Sequence, residues 1–324
     1  MRFPRRQFLQ LATSAGALPW LSRFVSAQDV FPARTVTIVV PAPPGGVLDL
    51  LARTIGERLA QKWGHSVIVE NKPGANFQIG AAFVAKAPAD GYTLLVCPEV
   101  VFTVNPFLYK TVQYDPVNGF APISGLAIVN EALIARPTFP ATDTKDLIAL
   151  ARSKPGGIYY GTFGVGSTAH LQMALFETMA GVKLSAIHYN GAQPALLDLL
   201  GGHIDVLFID TRSALANQVK VLALGSAARL PEFPGTSTIG EDLPGFQART
   251  WFGLFAPGGM PADIVTKISA DIRTILMDSS FRDQILSPNM FEPMLTDPAR
   301  FSAFIKSEAE KWSKVMHDLD LKVD

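Results

Sequence analysis

Residues 35–64 read TVTIVVPAPPGGVLDLLARTIGERLAQKWG. The run Val36 to Val40 is apolar and β-branched, as a buried strand requires. Residues 41–46, Pro-Ala-Pro-Pro-Gly-Gly, then break it. Leu48, Ala52, Ile55, Leu59 and Trp63 recur at helical spacing. Strand, stiff turn and helix follow one another. Prolines stiffen such a turn, and glycines let a backbone approach a ligand closely. A turn of this kind leaves bare N–H groups at a helix N-terminus, a place that binds anions.

The same layout recurs outward from this unit. Val67 to Val69 predicts a strand, residues 71–76 a loop, residues 79–87 a helix, and GYTLLVCP a third strand. This β-α-β-α-β order implies a parallel sheet with helices on its faces. Residues 102–125 read as a looser, turn-rich stretch. A second βα series follows: EALIARP, TKDLIALARSKPG, GIYYGTFGVGSTAHLQMALFETMAG, LSAIHYNGAQPALLDLLGGHIDVLFID and VKVLALGS. A Pro- and Gly-rich run at 230–245 leads to TWFGLFAPGGMP, an amphipathic helix over 262–278 and two further helices. Two similar lobes are expected, with their Gly-rich turns at the carboxyl ends of the strands, where ligands sit in open α/β sheets.

The bulk properties agree. The chain has 324 residues, enough for two domains, and is 48% hydrophobic and 17% charged. The N-terminus carries Arg2, Arg5 and Arg6, an apolar stretch over 8–21 and a small-residue site at Val25-Ser26-Ala27. This is an export signal, expected to be cleaved after Ala27, with a twin-arginine-like core. Lys plus Arg and Asp plus Glu each number 28, so loss of the four signal arginines, Arg2, Arg5, Arg6 and Arg23, leaves a net charge of −4. An acidic chain without a basic run is a poor nucleic-acid binder. The single cysteine, Cys97, forms no internal disulfide and is expected to be a buried, inert thiol.

Three turns carry the candidate site. In the first, Pro44, Gly45, Gly46 and Val47 precede Asp49, which either caps the helix or holds the loop; a plain tight turn is the alternative. In the second, Gly164, Gly166, Ser167 and Thr168 lie between a strand and a helix. They fit a loose G-x-G-x-x-A dinucleotide fingerprint, but no acidic residue follows at the distance a ribose needs. An anion site is the favoured reading. In the third, Tyr189, Gly191 and Ala192 open a helix with Pro194 in its first turn, or else Tyr189 is simply a half-buried strand residue. The five histidines are scattered, and there is no H-E-x-x-H, Cys/His cluster or P-loop lysine. No pair of carboxylates stands out as acid and base, so neither a metal, a cofactor nor a catalytic residue is expected.

Eight stretches in order, FPARTVTIVVPAPPGG, VIVENKPGAN, ADGYTLLVC, VNPFLY, YDPVNGFAPIS, GIYYGTFGVGSTAHL, HYNGAQPALLDLLGGHIDVLF and WFGLFAPGGMP, give the chain a family resemblance. It resembles the substrate-binding proteins of tripartite tricarboxylate transporters, the Bug family of extracytoplasmic solute receptors. The resemblance implies an α/β, two-lobe Venus-flytrap fold of the periplasmic-binding-protein kind, with two crossing segments. Residues 28–125 plus 246–324 would form one lobe and 126–245 the other. It also implies a periplasmic monomer that grips a small organic carboxylate and delivers it to membrane transporter subunits. The alternatives are a nicotinamide-dependent oxidoreductase and a ligand-sensing receptor for a membrane kinase.

Departures from the family pattern suggest a ligand unlike citrate. Val47 and Leu48 stand where the family has glycine and threonine. Glu99 lies at a strand end that is usually small and hydroxylic, and Asp210 follows Ile209 with Arg212 close by. Glu99 and Asp210 would repel a second carboxylate and favour an amine or hydroxyl at the ligand's far end, whereas Arg212 would do the opposite.

Overall fold

The structure is a computed structural model and describes residues 31–318. The expected export signal and its cleavage site lie outside the described residues. The first series runs β1 (Val36–Val40), α1 (Val47–Trp63), β2 (Val67–Asn71), α2 (Gln78–Ala85) and β3 (Thr93–Pro98). Two short helices, α3 (Val100–Thr103) and α4 (Asn105–Leu108), lead into β4 (Phe120–Ala135). The second series is α5 (Thr144–Ser153), β5 (Tyr159–Thr162), α6 (Thr168–Ala180), β6 (Ser185–His188), α7 (Ala192–Leu200), β7 (Val206–Asp210), α8 (Thr211–Ala216) and β8 (Lys220–Leu224). The chain closes with β9 (Arg249–Pro257), α9 (Ala262–Met277), α10 (Ser279–Phe281), β10 (Phe291–Pro293) and α11 (Pro298–Asp318).

The pairing pattern makes two lobes. β2, β1 and β3 are parallel neighbours, and β9 and β4 continue the sheet antiparallel. In the second lobe β6, β5 and β7 are parallel neighbours and β4 closes the row antiparallel. The two lobes therefore repeat one layout. β4 belongs to both: it pairs with β9 as far as Asn130, then with β7 from Glu131 and with β8 from Ala132. One 16-residue strand is thus the first crossing segment. Its first six residues fall in the stretch expected to be loose. Pro122 and Gly125, which obscure a strand signal, stand beside irregularities in its register with β9. β9 leads the chain back.

Both faces of each half-sheet are covered. Val36, Ile38 and Val40 of β1 pack with Leu51, Ile55 and Leu59 of α1 and Ile268 and Ile272 of α9. Val39, Leu95 and Cys97 on the opposite face pack with Ala81 and Val84 of α2 and Phe301 of α11. In the second lobe Leu133, Val206 and Phe208 face α5 and α6, while Ala132, Leu207 and Ile209 face α7 and α8. This two-sided burial explains why the strands read as continuous apolar runs. Trp312 and Met316 of α11 join the second-lobe core beside Leu108 of α4, so α11 is anchored in both cores. Cys97 is fully buried, and burial pushes its thiol well above the ordinary value. Among the described residues no helix is long and apolar enough to cross a membrane.

Candidate functional site

The first turn is held from behind by Asp49. Its Oδ2 accepts the Gly45 N–H at 2.9 Å and the Arg53 Nε–H at 2.9 Å. Its Oδ1 accepts from Asn71 Nδ2 at 2.8 Å, and the same amide donates to the Ala42 carbonyl at 3.0 Å. The Arg53 hydrogen bond, foremost, with those of Gly45 and Asn71, holds the Asp49 carboxyl down at about 2 despite burial. Asp49 therefore carries a charge that is fully engaged within the protein. Pro44, Gly45 and Gly46 are exposed, whereas Val47 is half-buried and packs against the core of the first lobe. Gly45 has φ +89°, a conformation in which a side chain would be strained.

The second turn is braced in the same way by different groups. Gly166 N–H donates to His170 Nδ1 at 3.1 Å, and Phe163 N–H donates to Ser167 Oγ at 3.2 Å. The first bond requires the His170 Nδ1 to be unprotonated. Burial, with a smaller contribution from His188, lowers the His170 pKa to about 4. The two imidazoles meet edge to face at 5.2 Å, and His188 Nδ1 lies 2.7 Å from Thr162 Oγ1. The histidines expected to be scattered are therefore partly clustered. Even so, among the described residues no group of three or more His, Cys, Asp or Glu side chains could hold a metal ion. Gly166 is crowded: a Cβ there would lie 2.1 Å from Leu108 Cδ2, so Leu108 would have to shift.

Leu108 belongs to α4, whose Asn105 is tied to the first lobe. Asn76 Nδ2 donates to Asn105 Oδ1 at 2.8 Å, and Asn105 Nδ2 donates to the Asn76 carbonyl at 2.8 Å. The second turn thus abuts an element latched to the loop after β2. The third turn begins at Tyr189, whose N–H donates to the Thr162 carbonyl at 3.0 Å. Its hydroxyl donates to Asp198 Oδ2 at 2.7 Å, and burial together with Asp198 raises its pKa to about 12. Gly191 and Ala192 are half-buried at the start of α7.

Three helices begin at these turns: α1 after Gly46, α6 after Ser167 and α7 after Gly191. In none does the N-cap side chain accept a hydrogen bond from the helix. Asp143 and Asp210, by contrast, cap α5 and α8 with their own carboxylates. The first-turn N–H groups of a helix lack intrahelical partners and carry its positive end. The Ser167 hydroxyl, at the N-cap of α6, is taken up inside the turn by the Phe163 N–H. Thr168 is half-buried as the first residue of that helix.

Of the two carboxyls expected at the ligand's far end, Glu99 is buried and Asp210 is half-buried at the start of α8. Glu99 is only 3% exposed, and its Oε2 accepts the Trp251 N–H at 3.0 Å. Burial pushes its carboxyl up to about 8, so it is largely neutral at pH 7. Asp210 Oδ1 accepts the Ser213 N–H at 2.8 Å, and Arg212 is exposed. The Asp210 carboxylate is thus the cap of α8. The sequence reading passed over Glu131, which faces Asp210 across the β4–β7 pair, is 7% exposed and accepts from Thr250 Oγ1 at 3.1 Å. Burial, reinforced by Asp210, pushes its carboxyl well up as well. It also passed over Arg53, Asn71, Asn76, Asn105 and His170. The spacings of Asp49 to Arg53 and Gly166 to His170, four residues each, were the available signals.

Comparison with known proteins agrees with this architecture. Residues 51–321 match the tripartite tricarboxylate transporter family receptor. BugT of Bordetella pertussis is 30% identical, with 97% of this chain and 96% of BugT aligned. A solved structure from R. palustris, Rpa4515 with adipate, is 34% identical with a TM-score of 0.81, covering 89% of this chain and 97% of that one. MatC from Rhodopseudomonas palustris, with bound malate, is 30% identical with a TM-score of 0.77, covering 88% and 99%. The chain belongs to the tripartite tricarboxylate transporter receptor family, the Bug family of solute-binding proteins with a two-lobe, periplasmic-binding-protein-like fold.

Proposed function

We propose that this protein captures a small organic carboxylate between its two lobes and delivers it to a tripartite tricarboxylate-type membrane transporter. It acts as a receptor without catalysis, as a monomer in the periplasm after cleavage behind Ala27. Residues 28–125 with 246–324 form one lobe and residues 126–245 the other. The observation that carries this reading is the set of three helix starts, α1, α6 and α7, none capped by its own side chain. The turns that present them are braced from behind by Asp49 and His170, which leaves main-chain N–H groups for an anion. Pro44, Gly45, Gly46 and Val47 offer the grip in one lobe, and Gly164, Gly166, Ser167, Thr168, Tyr189, Gly191 and Ala192 in the other. Closing the lobes removes water from the anion and strengthens each contact. Adipate and malate, bound by the two solved relatives, are the first ligands to test.

A thermal-shift screen of the chain from Gln28 onward against mono- and dicarboxylates tests capture. A ligand at 100 times its Kd stabilises the fold by about 2.7 kcal/mol. A shift with a carboxylate and none with NAD supports the receptor. A shift with NAD and none with any carboxylate overturns it. Uptake into vesicles holding the transporter subunits, with and without this protein, tests delivery.

A further inference from the structure

A groove of about 510 Å³ lies between α11 and the segment from α3 to the start of β4. None of the residues of the three turns lines it. Phe102 and Phe120 contribute aromatic surface, and Ile305 and Ala309 of α11 contribute aliphatic surface. Of its lining side chains only Ser302 and Lys306 are polar. Its volume falls within the roughly 300–1,000 Å³ typical of small-molecule sites, which are likewise mostly apolar with a few polar groups.

The groove is built to stay open. Phe102 packs on Phe120 at 5.3 Å and on Phe255 at 4.4 Å, so the aromatic surface is backed by a fixed cluster. Pro106, Pro116 and Pro122 restrict the backbone around it. Phe107 and Val117 also line it and are 38% and 80% exposed, apolar surface that the protein itself leaves uncovered. Among the described lining residues Lys306 supplies the only charge. Its neighbours on α11, Arg300 and Lys311, pair with Asp297 and Glu308, but Lys306 pairs with no carboxylate among the described residues.

We propose that this groove is a second ligand site, separate from the interlobe cleft, for a soluble monoanionic amphiphile such as a medium-chain alkyl carboxylate. The tail lies over Phe102, Phe120 and Ile305, and the head group meets the Lys306 ammonium. One charge in the groove calls for one opposite charge on the ligand. An extended peptide is a poor occupant, because two polar side chains cannot satisfy its buried N–H and C=O groups.

The test uses the chain from Gln28 onward with anilinonaphthalene sulfonate as fluorescent probe. Decanoate is expected to displace the probe saturably, while malate and adipate leave it in place. Lys306→Glu, a surface change, is expected to weaken decanoate at least fivefold and leave decanol within twofold. Ala309→Phe, checked for folding by circular dichroism, fills the groove and is expected to abolish both. Three results would each overturn the proposal: no saturable displacement by decanoate, displacement by malate or adipate, or unchanged decanoate affinity in Lys306→Glu. Cosedimentation with phosphatidylglycerol vesicles without decanoate binding would also overturn it and make the groove a membrane contact.

Discussion

The Asp49 carboxyl accepts from a main-chain N–H, a guanidinium and an amide, and these three donors come from three parts of the chain. Asp49→Ala would leave the Gly45 and Asn71 donors unmatched and release the turn. It is expected to cost about 1–2 kcal/mol, measured by urea unfolding, and to weaken carboxylate binding. Its folded pKa lies near 2, below the ordinary 3.8, so its contribution is present above pH 4 and lost as pH falls toward 2. Glu99 works with the opposite sign. Its folded pKa near 8 exceeds the ordinary 4.5, so the native state holds a proton that the unfolded chain has released. Stability therefore declines as pH rises from 4.5 to 8. Glu99→Gln keeps an acceptor for the Trp251 N–H and removes the titration. It is expected to match wild type at pH 4.5 and exceed it at pH 8 by on the order of 3 kcal/mol, seen as a flattened plot of Tm against pH.

Among the elements, β1 was legible to the residue and α1 by its apolar repeat. An apolar run, three prolines, two glycines and a helical repeat leave little choice for local structure, and Gly64 ends the helix at φ +68°. β4 was only half legible. Its second half shows as EALIARP, but Pro122 and Gly125 hide the first half, because partner strands rather than local propensity hold it extended. The second turn shows the same limit. Gly164 and Gly166 mark a sharp bend, yet the crowding at 166 comes from Leu108, 58 positions earlier in the chain. Gly166→Ala combines a φ of +72° with that clash and is expected to destabilise by about 2–4 kcal/mol in urea unfolding. Adding Leu108→Ala is expected to relieve the clash but not the strain, so the double variant should deviate from additivity.

At the scale of the whole molecule, β4 and β9 connect the lobes, and α11 is buried in both cores through Phe301 and Trp312. Trp312→Ala opens the second-lobe core from the far end of the chain. It is expected to cost about 3–5 kcal/mol and to lower the temperature of a single unfolding transition. Two separated transitions would show that α11 does not couple the lobes. Local pattern alone determined the alternating strands and helices, the repeated layout and the Gly-rich turns at strand ends, because periodicity and turn chemistry act over a few residues. Tertiary structure decided what those turns rest on. Asp49 with Asn71, Asn76 with Asn105 and Gly166 with Leu108 are pairings between distant positions, and no local signal records them. Tertiary structure likewise turned Glu99 from an expected ligand contact into a buried neutral acid. A side chain's burial is set by the elements that close over it, and here those are β9 and the helix that arrives last, α11.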